Sequence, residues 1–281
     1  MIKLACNYLS ELEELVLEQA VEIDYFKYPS VANDPGFDSI EKFYNRIENA
    51  KKVKPILYHG HYPHNTNICS RSFINDFDVD LMNELCKRTS AEGISLHFNG
   101  AGMDDTREEV IKNTCANIEY LKKHFNHMEF LSFENIMGNC NQHTLDPEVI
   151  AEVIRETKVD FLYDVSHAYW CSRKRNESFE NYVSKLPLER VYEVHVNGWD
   201  EKNGDIQSHM IIQEELYTHI EEIVCNYPVK ILTLEYGRHN DRIGVGCPVV
   251  YLDSINEKAK EEVKKQLLRL HNIITNRQSS K

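Results

Sequence analysis

The sequence predicts an α/β fold, a (β/α)₈ TIM barrel built as a single domain, from three observations. Short apolar runs typical of buried strands alternate with longer amphipathic segments typical of helices, and this alternation occurs eight times. The length of 281 residues suits one barrel of this kind. No G-x-G-x-x-G follows the first strand and no Walker A sequence occurs, so the usual reasons to prefer an open nucleotide-binding sheet are missing.

The strands are predicted in order from their apolar runs. They cover residues 3–8, 21–28, 54–60, 94–99, 128–135, 161–167, 190–198 and 230–237. Amphipathic segments between them predict the helices, and Asp104-Asp105 before REEV and Asp146-Pro147 before EVIAEVI are helix start signals. We assign residues 1–275 to the barrel domain and expect a short disordered tail at 276–281.

Long loops follow the third, seventh and eighth predicted strands, at residues 61–77, 199–211 and 238–253. In a barrel, the loops that follow the strands build the active-site face. We therefore expect an active site at this end of the molecule.

Composition narrows the class of partner. The net charge of −13 argues against a duplex nucleic acid, whose phosphates are bound by clustered Lys and Arg. No apolar run approaches the roughly 20 residues of a membrane span. The first 20 residues become acidic and amphipathic at once, unlike a signal peptide, so we expect a cytoplasmic protein. The eight cysteines are scattered without a CxxC pair, which predicts reduced thiols.

Six consecutive predicted strands end in His, Asp or Glu. These residues are His59, His97, Glu134, Asp164 with His167 three positions later, His195 and Glu235. The carboxyl ends of barrel strands converge on one mouth, so the side chains should meet. Each one alone is more often a hydrogen-bonded structural residue. Three buried carboxylates without a strand-end Lys or Arg, however, need cations, which predicts a site for more than one first-row metal such as iron, zinc or manganese.

Several motifs carry a family resemblance. ENI at 134–136, YDVSH at 163–167, LPLERVYEVHVNG at 186–198, QSH at 207–209 and LTLEY at 232–236 resemble the multinuclear non-heme iron-dependent oxidase family. This family includes the methanobactin-biosynthesis oxidase, belongs with the xylose-isomerase-like TIM barrels, and is matched from about residue 54 to 240.

The resemblance implies a ligand set and a reaction. Two or three irons would be held by His59, His97, Glu134, Asp164, His195, His209 and Glu235. It also implies O₂-dependent oxidation of a ribosomally made peptide, often at cysteine, with a partner protein as a candidate for peptide delivery. We expect catalysis to depend on Glu134, Asp164 and His195.

Two positions depart from the family. Gln207 stands where the family usually has Asp, so a neutral amide replaces an anionic ligand unless Asp205 substitutes for it. His167 stands where the family tends to have Asn, and Asp-x-x-His is instead similar to endonuclease IV, a trinuclear zinc barrel. We expect Asp164 and His167 both to bind metal.

Other functions remain open. An endonuclease IV-like phosphodiesterase would use the metals to activate water, but the acidic charge disfavours it. A sugar isomerase would also use a carboxylate-rich two-metal mouth, yet no strand-end lysine is predicted near it. The roles of His61, His64 and Cys171, which lie close to predicted ligands, stay open.

Overall fold

The computed structural model describes residues 1–28, 40–59, 67–202, 205–237 and 255–279 of the chain. Eight parallel strands form one sheet. They are β1 (Lys3–Asn7), β2 (Tyr25–Tyr28), β3 (Ile56–His59), β4 (Gly93–His97), β5 (Phe130–Glu134), β6 (Asp160–Asp164), β7 (Val191–Val196) and β10 (Ile231–Leu234). The sheet closes into a barrel in the order β1-β10-β7-β6-β5-β4-β3-β2. The predicted single-domain TIM barrel is therefore confirmed.

Helices surround the barrel, and two short strands stand apart from it. The helices are α1 (Ser10–Leu17), α2 (Ile40–Val53), α3 (Phe73–Asp76), α4 (Val79–Thr89), α5 (Arg107–His124), α6 (Pro147–Thr157), α7 (Val165–Lys174), α8 (Phe179–Val183), α9 (Leu216–Asn226) and α10 (Glu257–Ser279). Among the described residues, none of these helices combines the length and apolarity that a membrane span requires.

The apolar core has two parts. The large part lies between the outer face of the barrel and the helices. The small part consists of Ala5, Tyr25, Leu57, Phe130 and Ile231. Successive strand side chains point to opposite faces, and each of these residues lies two positions before a polar residue on its strand. The small part therefore fills the barrel interior towards the amino-terminal ends of the strands.

The structure differs from the predicted elements after β6. Residues 165–167, predicted to be strand, begin helix α7, because the Asp164 side chain caps that helix by accepting a hydrogen bond from the His167 N–H at 2.7 Å. His167 therefore lies on the first helical turn rather than on a strand.

Two further differences concern the loops and the C-terminus. The predicted loop 199–211 is mostly an antiparallel hairpin of β8 (Gly198–Lys202) and β9 (Asp205–Met210), which places His209 on a strand. Helix α10 continues through Ser279, where we expected a tail without regular structure. Residues 60–66 and 238–254 lie outside the described residues; they hold His61, His64, the first six residues of the predicted loop 61–77 and all of the predicted loop 238–253.

Candidate metal centre

Eight polar side chains meet at the carboxyl-terminal end of the barrel. Six lie at or within one residue of the end of a barrel strand, one on α7 and one on β9. They are His59, His97, Glu134, Asp164, His167, His195, His209 and Glu235. The structure thus brings together every residue that the sequence analysis placed at this site. His97 is the most open of the six at strand ends, with 23% of its side chain exposed.

Glu134 lies at the centre of this cluster. Its Oε2 is 3.0 Å from Nε2 of His59 and 3.5 Å from Nε2 of His97. Its Oε1 is 3.3 Å from Nδ1 of His167 and 3.4 Å from Nδ1 of His195. Each carboxylate oxygen therefore faces a different pair of imidazoles, an arrangement that suits a carboxylate bridging two cations.

Glu235 extends the cluster on the side of the hairpin. Its Oε2 lies 3.2 Å from Nδ1 of His195 and 3.5 Å from Nε2 of His209. The His195 Nδ1 atom therefore lies between two carboxylates, Glu134 and Glu235. An imidazole nitrogen in this position can share a cation with either of them.

Several buried atoms of the cluster have no hydrogen-bond partner in the described part of the chain. They are both carboxylate oxygens of Glu134, Nδ1 of His195 and Oε2 of Glu235. Leaving a buried polar atom unsatisfied costs about 1–3 kcal/mol, and more for a charged group. Unsatisfied oxygens and nitrogens that converge on one place are the donor set that a divalent cation requires. The residues present therefore fit a metal centre.

Three overlapping sets of side chains could each hold an ion, with one ligand atom from every member within 4.8 Å of the others. The sets are His59, His97 and Glu134; His59, His195 and Glu235; and Glu134, Asp164, His195 and Glu235. Shared members are what a multinuclear centre would need. His167 and His209 belong to none of these three sets, although each has a ring nitrogen within 3.5 Å of a carboxylate oxygen of the cluster.

Asp164 is held more tightly than the other carboxylates. Its Oδ1 accepts hydrogen bonds from the Ser166 hydroxyl at 2.9 Å and the His167 N–H, and its Oδ2 accepts one from Asn197 Nδ2 at 2.9 Å. The Asn135 side chain bonds both the N–H and the C=O of Asp164. This carboxylate is therefore oriented by its surroundings before any cation binds.

His167 and His209 are oriented through their backbone or ring contacts. Nδ1 of His167 lies 2.8 Å from the Asn135 carbonyl, to which it can only donate, so Nε2 is the nitrogen left for a metal. His209 has a left-handed backbone (φ 63°). Its N–H donates to Asn197 Oδ1 at 3.3 Å and its C=O accepts from the Gly237 N–H at 2.8 Å, which hold this uncommon conformation in place.

The cluster shifts the pKa values of its own members. Burial opposes ionisation of Glu134, but His59 and His195 outweigh it and hold the pKa of this carboxyl well below its usual range. Burial likewise opposes protonation of His167, but Asp164 and Glu134 raise its pKa to about 10. Burial instead lowers the pKa of His97 to about 4. Without metal, the proton on His167 therefore helps to neutralise the carboxylates, and a metal ion bound there has to displace that proton.

The sequence analysis did not identify the residues that orient the predicted ligands. Asn135 follows Glu134 directly, and Asn197 lies two residues after His195, so each was visible as an amide next to a predicted ligand. Lys27 and Glu193, which form a buried ion pair inside the barrel, carried only the weaker signal of a charge in an apolar strand.

Cys171 does not belong to the mouth. Its side chain is fully buried and donates to the Ile136 carbonyl at 3.1 Å. Burial raises the pKa of this thiol to about 12. Cys171 is therefore a packed core residue rather than a reactive thiol.

Comparison with known proteins gives one family match. Residues 7–236 match the family described as "RiPP precursor modification enzyme MbnB/TglH/ChrH", where RiPP denotes a ribosomally synthesised and post-translationally modified peptide. The matched region contains all five motifs on which the family resemblance rests. No curated protein matches the chain.

Solved structures share the fold at low sequence identity. A xylose isomerase domain-containing protein from Salmonella typhimurium is 14% identical with a TM-score of 0.61, covering 96% of this chain and 97% of that chain. D-psicose 3-epimerase from Clostridium cellulolyticum is 10% identical with a TM-score of 0.61, covering 97% and 99%. Endonuclease IV from Thermus thermophilus is 17% identical with a TM-score of 0.52, covering 84% and 93%. These similarities establish a xylose-isomerase-like barrel.

Proposed function

The chain belongs to the RiPP precursor modification enzyme family MbnB/TglH/ChrH, and from this premise we propose that it is a multinuclear iron-dependent oxidase. Its substrate is a precursor peptide that is oxidised at cysteine, and O₂ accepts the electrons. The family membership supports a peptide substrate and an enzymatic role. The iron and the oxidation are inferred from the side chains at the barrel mouth.

The observation that carries the proposal is the position of Glu134. Two unsatisfied oxygens of one buried carboxylate face different ring nitrogens that can bind metal: Nε2 of His59 and His97 on one side and Nδ1 of His195 on the other. A single metal ion would use one side of this arrangement, whereas a centre with two ions would use both. The mixed imidazole and carboxylate set, without a thiolate, suits iron as well as zinc or manganese.

Different residues would hold the ions on the two sides of Glu134. His59 and His97 would hold an ion on one side of Glu134. His195 and Glu235 would hold an ion on the other side, and both are almost fully buried, which keeps water away from it. Bound iron would supply the one-electron redox chemistry that amino-acid side chains lack.

Asp164, His167 and His209 are the remaining candidate ligands. The hydrogen bonds to Asp164 fix its carboxylate for a further ion, with Nε2 of His167 as a nitrogen ligand beside it. His209, next to Glu235, lies where this third position would be completed. His97, the most open of the strand-end ligands, marks the side from which the peptide thiol would approach.

The test combines metal exchange with the peptide. Protein purified without oxygen and loaded with iron is mixed with O₂ and a short cysteine-containing peptide encoded beside its gene, with and without the neighbouring gene products as delivery partners. We expect O₂ consumption and a mass change of the peptide that a Cys→Ser peptide does not show. Zinc-loaded protein is the redox-inert control. Equal modification by the zinc form, or cleavage of abasic DNA by it, would contradict the oxidase and favour the hydrolytic alternative.

A further inference from the structure

A buried ion pair crosses the barrel directly behind the candidate metal centre. Lys27 on β2 and Glu193 on β7 are 0% exposed, and Nζ of Lys27 lies 2.7 Å from Oε2 and 2.9 Å from Oε1 of Glu193. Glu193 precedes His195 by two residues on β7, so both side chains point into the barrel. The pair therefore lies one layer below the ligands.

The ion pair is complete without a metal. An ammonium group has three N–H donors, and those of Lys27 reach both oxygens of Glu193 and the Ser95 hydroxyl at 2.8 Å. Oε1 of Glu193 also accepts a hydrogen bond from the Thr233 hydroxyl at 2.6 Å. Neither charge therefore needs a cation from solution, in contrast to Glu134.

Glu193 determines which nitrogen of His195 faces the mouth. Nε2 of His195 lies 3.3 Å from Oε1 of Glu193. A carboxylate paired with an ammonium can only accept hydrogen bonds, so this nitrogen must carry a proton. In the neutral ring, which is the form that binds metal, Nδ1 then keeps the free lone pair, and it is the atom that lies between Glu134 and Glu235.

Lys27 acts on His59 through Ser95. The Ser95 hydroxyl donates its one hydrogen to the Tyr58 carbonyl at 3.2 Å and accepts from Lys27. Nδ1 of His59, 3.1 Å from the same oxygen, must therefore donate to it. Nε2 of His59 keeps the free lone pair, 3.0 Å from Oε2 of Glu134.

We propose that Lys27 and Glu193 are positioning residues that hold His59 and His195 in opposite tautomers, so that Nε2 of the first and Nδ1 of the second face the metals. The inference rests on the proposed metal centre and adds a layer to it. Partners that hold the second nitrogen of a ligating histidine typically change metal affinity by about 10–100-fold. A single lysine here connects both histidines, so its loss should disturb both sides of Glu134.

A double variant separates positioning from stability. Removing one charge leaves the other buried and unpaired, whereas replacing both with apolar residues of similar volume is often neutral or stabilising. In Lys27→Met/Glu193→Leu the barrel should therefore stay folded, with an unfolding temperature no lower than that of the wild type. Zinc affinity, measured by chelator competition on metal-free protein, should fall by about 10–100-fold.

Thr233→Val is the matched control. It removes a hydrogen bond to the same Glu193 oxygen, and among the described residues the Thr233 hydroxyl makes no hydrogen bond to Lys27 or to a histidine. Its zinc affinity should stay within about threefold of the wild type, a much smaller change than loss of a histidine partner causes. Wild-type affinity in the folded double variant would overturn the positioning role. Absence of zinc binding in the wild type would instead overturn the metal centre itself.

A second measurement needs no change in the ion pair. In zinc-loaded protein with ¹⁵N-labelled histidine, ring nitrogen shifts report which nitrogen binds metal and which carries a proton. Signals are assigned with His59→Gln and His195→Gln. We expect Nδ1-bound, Nε2-protonated His195 and Nε2-bound, Nδ1-protonated His59. The reverse tautomer at either histidine would overturn the proposal even if the double variant did not fold.

Discussion

The barrel interior holds two groups of buried charges, and they are satisfied in opposite ways. In the inner pair, Lys27 and Glu193 meet each other and neighbouring hydroxyls, so every charged atom has a partner. At the mouth, Glu134 has no hydrogen-bond partner for either oxygen among the described residues. The carboxylates of Glu193 and Glu134 are both 0% exposed, so burial of the carboxylate alone does not explain the difference.

The difference indicates what each group is for. A buried carboxylate must be neutralised by a cation, because an isolated charge in the interior is very costly. At the inner layer the chain supplies that cation itself. At the strand ends it supplies imidazoles, whose nitrogens can bind either a proton or a metal ion. We call the cluster at the mouth around Glu134 the open group, and it lies at the end of the barrel where a substrate could reach it. We call the pair Lys27 and Glu193 the closed group, and it lies deeper in the barrel.

The largest effect is expected from a substitution in the open group. Glu134→Gln keeps the volume of the side chain but removes the charge that would be shared by two cations. We expect loss of at least one metal ion and a fall in activity larger than the roughly 10–100-fold of a lost outer partner, with the barrel still folded. Metal analysis measures the number of ions bound, and circular dichroism shows whether the barrel is folded. Unchanged metal stoichiometry would mean that Glu134 does not bridge.

The second prediction concerns a substitution in the closed group. Lys27→Met leaves Glu193 buried without its cation, which should lower the free energy of unfolding by about 3–5 kcal/mol. Urea unfolding of the metal-free protein measures this loss. Glu134→Gln should be much less destabilising in the same assay, since no protein cation depends on that carboxylate alone. A Lys27→Met loss no greater than that of Glu134→Gln would remove the contrast between the two groups.

The third prediction uses pH to sharpen the contrast. The pKa of His167 is raised to about 10 in the folded metal-free chain, so its contribution to stability is full below about pH 6.5 and is lost as pH rises towards 10. Metal binding requires unprotonated imidazoles, so the stabilisation on zinc loading should grow from about pH 6 to about pH 8. Calorimetry with and without zinc tests this. A gain that does not change with pH would contradict proton displacement at the mouth.

The smallest expected effect concerns the hairpin. Gln207 lies two residues before His209 on β9, where the family usually has Asp. Gln207→Asp adds a charge beside the third position and should tighten its iron binding by roughly tenfold if that residue faces the metals. Asp205→Asn should empty the same position if Asp205, whose side chain lies outside the described part of the chain, supplies the carboxylate instead. Iron titration of both variants decides between them. Unchanged affinity in each would mean that the hairpin contributes no carboxylate.

Local patterns were enough to predict the barrel and the polar side chains that converge at its mouth. Most residues of each barrel strand are buried, and a His, Asp or Glu that follows a short apolar run was predicted to lie at the strand end. Converging strand ends then brought His59 next to Glu134, 75 positions away in the sequence. Helix α7 was missed although Asp164 is a common N-cap residue. The hairpin was missed although Asn203-Gly204, a strong hairpin-turn pair, stands between its strands.

The inner ion pair could not be predicted in this way. Lys27 and Glu193 lie 166 positions apart, and they meet only because the strand register places both in the same interior layer. A one-residue shift of either strand would point its charge to the opposite face of the sheet. No local pattern contains that register, so the positioning of His59 and His195 emerges only from the three-dimensional structure.

Metal content tests the central claim most directly. Protein produced with iron available and purified without oxygen should contain two or three metal ions per chain, at least partly iron, and Glu134→Gln should contain fewer. Elemental analysis, combined with a measurement of protein concentration, gives the number of metal ions per chain. A wild-type chain that holds no metal after anaerobic iron loading, with its fold intact, would contradict the account.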